Sequence, residues 1–348
     1  MKGYELQRET GPVAVRFWQM EAHVTPTNTP DSPVLSGRVT RLDRGWSTVL
    51  LDHGAVERVR NIGVEIAVGD RVLISADIER IESVFPRRTA LTRRNSFEGA
   101  RGTRQIVASN IDTVFLLHSL GSPPNQRRLE RELVLAFDSG ATPVLVLTKL
   151  DAVNSETADM VRAGLSEVTM GVDVLMVSSM TGEGLEEIRA YATAGETIAF
   201  IGASGVGKST LINALVGHEV QRTAEVREDD QRGRHTTVAS ELIALPGDAW
   251  LLDTPGLRAV TLWTSGIGIE RAFREVFDLA DSCRFRDCKH IDEPDCAVTA
   301  AIAAGTLPAV RLESMRRLVA EELHVEEEQL ERERQEDRRG FRKQKPPA

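Results

Sequence analysis

At 348 residues, 41% of them hydrophobic and 27% charged, the chain has the composition of a globular protein large enough for two or three domains. Its formal charge of -9 argues against indiscriminate binding to nucleic acid, and no run reaches the roughly 18 apolar residues that span a bilayer. The opening "MKGYELQRET" lacks the apolar stretch of a secretory leader, so a cytoplasmic location without a membrane partner is expected.

Residues 1–34 read as an N-terminal extension: one apolar patch around "VAVRFWQM", then "TPTNTPDSP", whose Pro, Thr and Asn density signals a loop. Over 35–85, short β-type runs ("SGRVTRL", "STVLLD", "AVERV", "DRVLIS", "IERIESVF") alternate with turn signals, which suits a small closed barrel of the OB type. Trp46 is its only aromatic before Phe85, so a base-stacking face is poorly supplied. Residues 86–104 form a basic linker with six arginines, Arg87, Arg88, Arg93, Arg94, Arg101 and Arg104, against one acid, Glu98. The segment is either a nucleic-acid contact or a solvated connection.

From 105 to 265 apolar strand candidates ("DTVFLLHS", "TPVLVLT", "VDVLMVSS", "TIAFIG", "AWLLDTPG") alternate with helical stretches such as "RRLERELVLAFDSG" and "STLINALVG". The class is α/β with a doubly wound, largely parallel sheet, and loops at the carboxyl ends of the strands should build a site. Residues 266–337 hold all three cysteines and then Leu312, Met315, Val319 and Leu323 at helical spacing, which predicts a docked amphipathic helix. Residues 338–348 are a basic tail.

"GASGVGKST" (Gly202, Ala203, Ser204, Gly205, Val206, Gly207, Lys208, Ser209, Thr210) fits G-x-x-x-x-G-K-[ST] between an apolar strand and a helix. Its amides suit phosphate oxygens, Lys208 the β and γ phosphates, and the Ser209 hydroxyl a magnesium ion. This motif alone does not choose a base. Asp151 of "TKLD" offers a carboxylate that matches two guanine donors, N1–H and the exocyclic amine, and the Lys149 stem can lie along the ring. "TKLD" is weak evidence by itself. "VSSMTGEGL" strengthens it, because Ser178 and Ser179 follow the next strand and the Ser179 amide can meet the guanine O6.

Asp253 of "DTPG" supplies a carboxylate for the magnesium shell, and the Gly256 amide suits a γ-phosphate. Upstream, "REDDQRGRHTT" reads as a switch loop in which Thr236 or Thr237 gives a further hydroxyl ligand. The position after the D-x-x-G glycine is Leu257, which has no polar group to orient water, so His235 is the catalytic candidate beside Lys208. His235 either positions water or only shapes the loop. The cysteine cluster C-x4-C-x-H-x5-C, Cys283, Cys288, His290 and Cys296, is a closed set of three thiolates and an imidazole, expected to hold one structural zinc.

The order "TKLD", "SSMTGEGL", "GASGVGKST", "GRHTT", "DTPG" resembles the circularly permuted GTPases of the ribosome small subunit-dependent GTPase A (RsgA, or YjeQ) family. The likeness runs over about residues 35–310 and includes "PRRTALTRR" and "QIVASNID". It implies an OB barrel, a permuted GTPase domain and a zinc domain. It also implies hydrolysis of GTP to GDP, stimulation by the small ribosomal subunit and its rRNA, and a role in late maturation of that subunit, with a monomer expected. A second reading is an RNA-binding guanine-nucleotide switch with negligible turnover; a third, an ATPase or kinase, is opposed by Asp151 and "SSMTGEGL". One departure stands out: Thr148 replaces the usual Asn, which predicts loss of the amide that ties base loop to phosphate loop.

Overall fold

The computed structural model describes residues 35–94, 104–218, 240–253 and 266–343. Five strands come first: β1 (Leu35–Asp43), β2 (Trp46–Leu51), β3 (Val56–Arg60), β4 (Arg71–Ile74) and β5 (Ile81–Val84). Alternation puts Val39, Val49, Leu51, Val59, Val72, Ile74 and Ile81 on one buried face, as expected of antiparallel strands with one side on a core. β1 pairs with both β2 and β4, β2 with β3, and β4 with β5. The outer strands meet only through a parallel bridge, Arg60↔Arg80.

The segment read as a basic linker contains a strand. β6 (Ala90–Arg94) pairs antiparallel with β7 (Arg104–Ser109), burying Leu91 and Thr92. Its two leading arginines are each paired with a carboxylate. Arg87 Nε and Nη2 each lie 2.7 Å from a carboxylate oxygen of the fully buried Asp70, and Arg88 Nη1 lies 3.0 Å from Asp112. The Asp70 carboxylate raises the Arg87 pKa further above its ordinary value, against burial.

The α/β part is built on β8 (Thr113–Ser119), β9 (Thr142–Thr148), β10 (Asp173–Met176), β11 (Thr197–Gly202), β12 (Glu241–Ala244) and β13 (Trp250–Asp253). The spatial order is β10-β9-β8-β11-β13-β12, parallel except for β12. β8, β9 and β11 are buried on both faces, which is why they read as unbroken apolar runs. On one face Leu129 and Leu133 of α1 (Gln126–Asp138) and Ala158 of α2 (Ser155–Leu165) cover the sheet. On the other, α3 (Leu185–Arg189) and α4 (Lys208–Val216) contribute Leu185, Ile188, Leu211, Ile212 and Leu215. The sheet continues into the first five strands through Arg41↔Glu241.

The chain runs outward from β8 through β9 to β10, then returns to place β11 on the other side of β8. The gap between β8 and β11 is therefore the switch point where such sheets take ligands. Four helices complete the fold: α5 (Gly266–Ala272), α6 (Arg274–Ala280), α7 (Ala297–Ala303) and α8 (Ala309–Lys343), with their own core around Phe273, Val276, Val298 and Leu312. α8 is longer than the sequence pattern suggests and runs through the first part of the expected tail. Leu312 is buried on it and Met315 and Val319 pack against the core, but Leu323 is 54% exposed, so the docked face ends before that residue. Among the described residues no helix is long and apolar enough to cross a membrane.

Candidate functional site

β11 delivers Gly202 to the switch point, and the loop that follows depends on two glycines. Gly205 and Gly207 have φ of 76° and 100°, a region that side chains with a Cβ disfavour, and this curl turns successive amides toward one concavity. α4 then starts at Lys208, anchored by buried Leu211, Ile212 and Leu215. Lys208 Nζ lies 3.4 Å from Oδ1 of Asp253, the last residue of β13, and both side chains are mostly buried. The two residues that the sequence assigns to phosphate and magnesium therefore face each other.

The base loop leaves β9 at Thr148. Lys149 adopts the left-handed conformation (φ 61°) and starts a 3-10 turn, Leu150–Ala152, pinned by the Leu150 amide donating to the Val177 carbonyl at 3.1 Å. This exposes Lys149 and Asp151 at the strand end. Ser178, fully buried, donates its hydroxyl proton to Asp151 Oδ1 at 2.5 Å and accepts from the amides of Met180 and Thr181 at 3.2 and 3.1 Å. Ser178 thus orients the Asp151 carboxylate; the sequence had read it only as a ligand contact. Ser179 sits beside it, half-buried.

Thr148 corrects an expectation. Its hydroxyl lies 2.6 Å from the Val206 carbonyl and 3.2 Å from that of His118. Its single proton goes to the nearer acceptor, so base loop and phosphate loop are tied by a hydroxyl where an amide was thought necessary. Of the other candidates, Ala203, Ser204, Ser209 and Thr210 lie in the same loop and first helical turn, whereas His235, Thr236, Thr237 and Gly256 fall outside the described residues, as does residues 1–34.

A second cluster lies between α6 and α7. One ligand atom from each of Cys283, Cys288, His290 and Cys296 falls within 4.8 Å of the others. A tetrahedron with metal–sulfur bonds of about 2.3 Å and metal–nitrogen bonds of about 2.0–2.1 Å has S···S edges of about 3.8 Å and S···N edges of about 3.5–3.6 Å. Cys283 Sγ to Cys296 Sγ is 3.8 Å, and His290 Nδ1 lies 3.6 Å from Cys283 Sγ and 3.5 Å from Cys296 Sγ. The donor set fits a zinc-sized ion. Two supports escaped the sequence reading. Glu293 accepts from the Lys289 and Ile291 amides at 2.9 and 2.8 Å, and Arg316 of α8 donates to the Lys289 and His290 carbonyls, both at 2.7 Å. An acid three residues beyond a ligand histidine was the available hint for Glu293; nothing local pointed to Arg316.

A guanine-type base loop tied to a phosphate loop across the switch point, with the base loop earlier in the chain, defines a circularly permuted P-loop GTPase. A model of the RsgA GTPase family matches residues 84–263. The chain belongs to that family. It is 40% identical over 296 residues to the "Small ribosomal subunit biogenesis GTPase RsgA" of Methanosarcina acetivorans, covering 82% of this chain and 79% of that protein. The protein of the same name from Streptomyces avermitilis is 40% identical over 301 residues, 84% and 80% of the two chains. Among solved structures, YjeQ from Thermotoga maritima superposes with a TM-score of 0.63 at 28% identity, covering 83% of this chain and 99% of that one. YloQ, titled a circularly permuted GTPase, has a TM-score of 0.62 at 24% identity over 84% and 96% and agrees in fold.

Proposed function

We propose that the protein hydrolyses GTP to GDP and phosphate, is stimulated by the small ribosomal subunit, and acts as a monomer in late maturation of that subunit in the cytoplasm. The observation that carries the reading is the Thr148–Val206 hydrogen bond, which ties the loop after β9 to the loop after β11. The relatives whose names refer to small-subunit biogenesis support the partner. Asp151, set by Ser178, accepts guanine N1–H and the exocyclic amine; Lys149 lies along the ring, and the Ser179 amide meets O6. Amides of the loop from Gly202 to Thr210 hold the phosphates, with Lys208 on the β and γ groups. Ser209, Asp253 and Thr236 or Thr237 hold magnesium, which when bound neutralises charge on the phosphate oxygens. The Gly256 amide meets the γ-phosphate, and His235 positions water because Leu257 offers no polar group. The cysteine cluster holds a structural zinc, and the first five strands, as an OB-type barrel over 35–85, join the zinc domain in contacting rRNA. Trp46, flanked by the Arg58 and Arg60 guanidiniums at 5.0 and 5.2 Å, favours backbone contact over base stacking there.

The test is GTP turnover across a titration of small subunits, with wild type, His235→Ala and Asp151→Asn. Slow intrinsic turnover that rises with subunit is expected, and His235→Ala should abolish most of the rise. A flat titration for wild type sinks the enzyme reading in favour of a switch scaffold. Asp151→Asn should weaken GTP by about 100-fold or more and favour xanthosine triphosphate, whose C2 carbonyl accepts from the new amide. Unchanged base preference removes Asp151 from its role.

A further inference from the structure

A cleft of about 650 Å³ opens between the first five strands and the nucleotide domain, at the opposite end of β11 and β13 from the phosphate loop. Three arginines, Arg38, Arg71 and Arg88, share its lining with Asp52, Phe85 and Trp250. Two of the guanidiniums are paired: Arg71 makes a fork with Asp52 at 2.7 and 3.0 Å, and Arg88 meets Asp112 at 3.0 Å. Arg38 is different. Its Nη2 meets only neutral acceptors, Thr197 Oγ1 at 2.5 Å and the Asn110 carbonyl at 3.4 Å, and among the described residues it forms no ion pair. Burial, opposed by Asp112 and assisted by Arg88 and Arg71, pulls the Arg38 guanidinium down to about 10.

A largely buried guanidinium that makes no ion pair of its own, beside two further arginines, is a site that an anion can complete. The contacts described engage only Nη2 of Arg38 and Nη1 of Arg88, so each keeps N–H groups for a ligand. A dianionic phosphoryl group, with three terminal oxygens, accepts from more than one arginine at once; a single carboxylate has two oxygens. The walls supply the rest. Trp250, whose ring centre lies 5.9 Å from the Arg38 guanidinium carbon, and Phe85 offer apolar faces, and the volume is in the range of small-molecule sites.

We propose that this cleft binds the phosphoryl group of a small molecule, either free phosphate or a mononucleotide-sized phosphomonoester. Arg38 and Arg88 are its main contacts, and Trp250 is a wall against which a planar group stacks. Thr197 and Trp250 begin β11 and β13, whose other ends carry Gly202 and Asp253. Strands of that length separate the two sites by about 10–17 Å at roughly 3.3 Å per residue, so both can be filled at once.

The experiment uses the full chain saturated with magnesium and GDP, so that the guanine site is occupied. Calorimetry then titrates in inorganic phosphate, adenosine monophosphate or a short single-stranded oligoribonucleotide. Saturable binding of phosphate or of the mononucleotide is expected, weakened at least tenfold by Arg38→Gln and by Arg88→Gln and unchanged when GDP is raised a further tenfold. A response to phosphate but not to the mononucleotide names the free oxyanion as ligand; the reverse names the phosphomonoester. Because Arg38 also bonds Thr197, the exposed Arg88 supplies the variant that leaves the fold intact, and melting curves check both. No saturable small-molecule binding, binding indifferent to both variants, or arginine-dependent binding of the oligoribonucleotide alone overturns the proposal. Loss of binding at the higher GDP concentration would overturn it too, by returning the signal to the guanine site.

Discussion

Thr148 shows how much one hydroxyl can carry. It is 2% exposed, and its bond to the Val206 carbonyl is the direct link between the two nucleotide loops. Thr148→Val keeps the shape and removes the proton; a lost hydrogen bond of about 1 kcal/mol, with a buried carbonyl left to other partners, should weaken guanine-nucleotide binding about fivefold to tenfold. Thr148→Ser should bind like wild type. Titration with a fluorescent GDP measures both, and a Val variant within twofold of wild type would remove the tether from the account. The sequence placed Thr148 in the right loop and misjudged it, because whether a side chain reaches a carbonyl depends on the torsions at Gly205 and Gly207, which no residue pattern states. Glu293 raises the same point at the metal cluster. Its backbone donors, Lys289 first and then Ile291, hold its pKa down to about 2. With the folded value depressed, its contribution is complete above the ordinary carboxylate range and fades only as pH falls through about 2. Acid release of metal should therefore occur with Glu293 still ionised. Glu293→Gln, losing one of two acceptors, should weaken zinc about tenfold in a chelator competition at neutral pH, the scale of outer-shell effects.

Elements buried on two faces were legible and those held by polar pairs were not. β8, β9 and β11 announce themselves as apolar runs, whereas β6, "ALTRR", buries only Leu91 and Thr92 among its residues whose burial is described, so its arginines masked it as a linker. α8 extends past its docked face because Glu, Gln and Arg are good helix formers even where nothing packs against them, and periodicity alone wrongly enrolled Leu323 in the core. The join between α1 and α5 was also invisible in sequence. A Cβ at Gly268 would lie 2.6 Å from the Val134 carbonyl oxygen and 2.9 Å from Asp138 Cβ, so this position permits the two helices to touch. Gly268→Ala should force them apart and destabilise the fold by about 1–3 kcal/mol, the usual range for overpacking. Urea unfolding measures it; a loss under about 0.5 kcal/mol would mean that the helices slide apart freely.

At the scale of the whole molecule α8 acts as a strut. Arg316 grips the metal loop, and buried Arg311 meets Glu275 and the Ala272 carbonyl, each at 2.6 Å, fastening the helix to α5 and α6. Arg317 pairs with Glu130 and Glu321 with Arg131, fastening it to α1. From α1 the contacts continue: Glu132 meets His118 at 2.6 Å, and the His118 carbonyl lies 3.2 Å from the Thr148 hydroxyl. The stretch "LRAVTLW", which leads from "DTPG" toward the cysteines in sequence, lies outside the described residues; the described contacts run from the metal loop through α8 and α1 to the base loop. Contiguity is not coupling, so the route has to be tested by breaking it. Hydrogen exchange over residues 283–321 should differ between GDP and a non-hydrolysable GTP analogue. The double variant Arg131→Ala with Arg317→Ala removes the ion pairs between α8 and α1 while leaving the metal loop and the nucleotide loops untouched. It should remove most of that difference without lowering nucleotide affinity. Identical exchange in the two nucleotide states of the wild type would show that the strut is only structural, and a difference that survives the double variant would send the coupling back to the segment after Asp253.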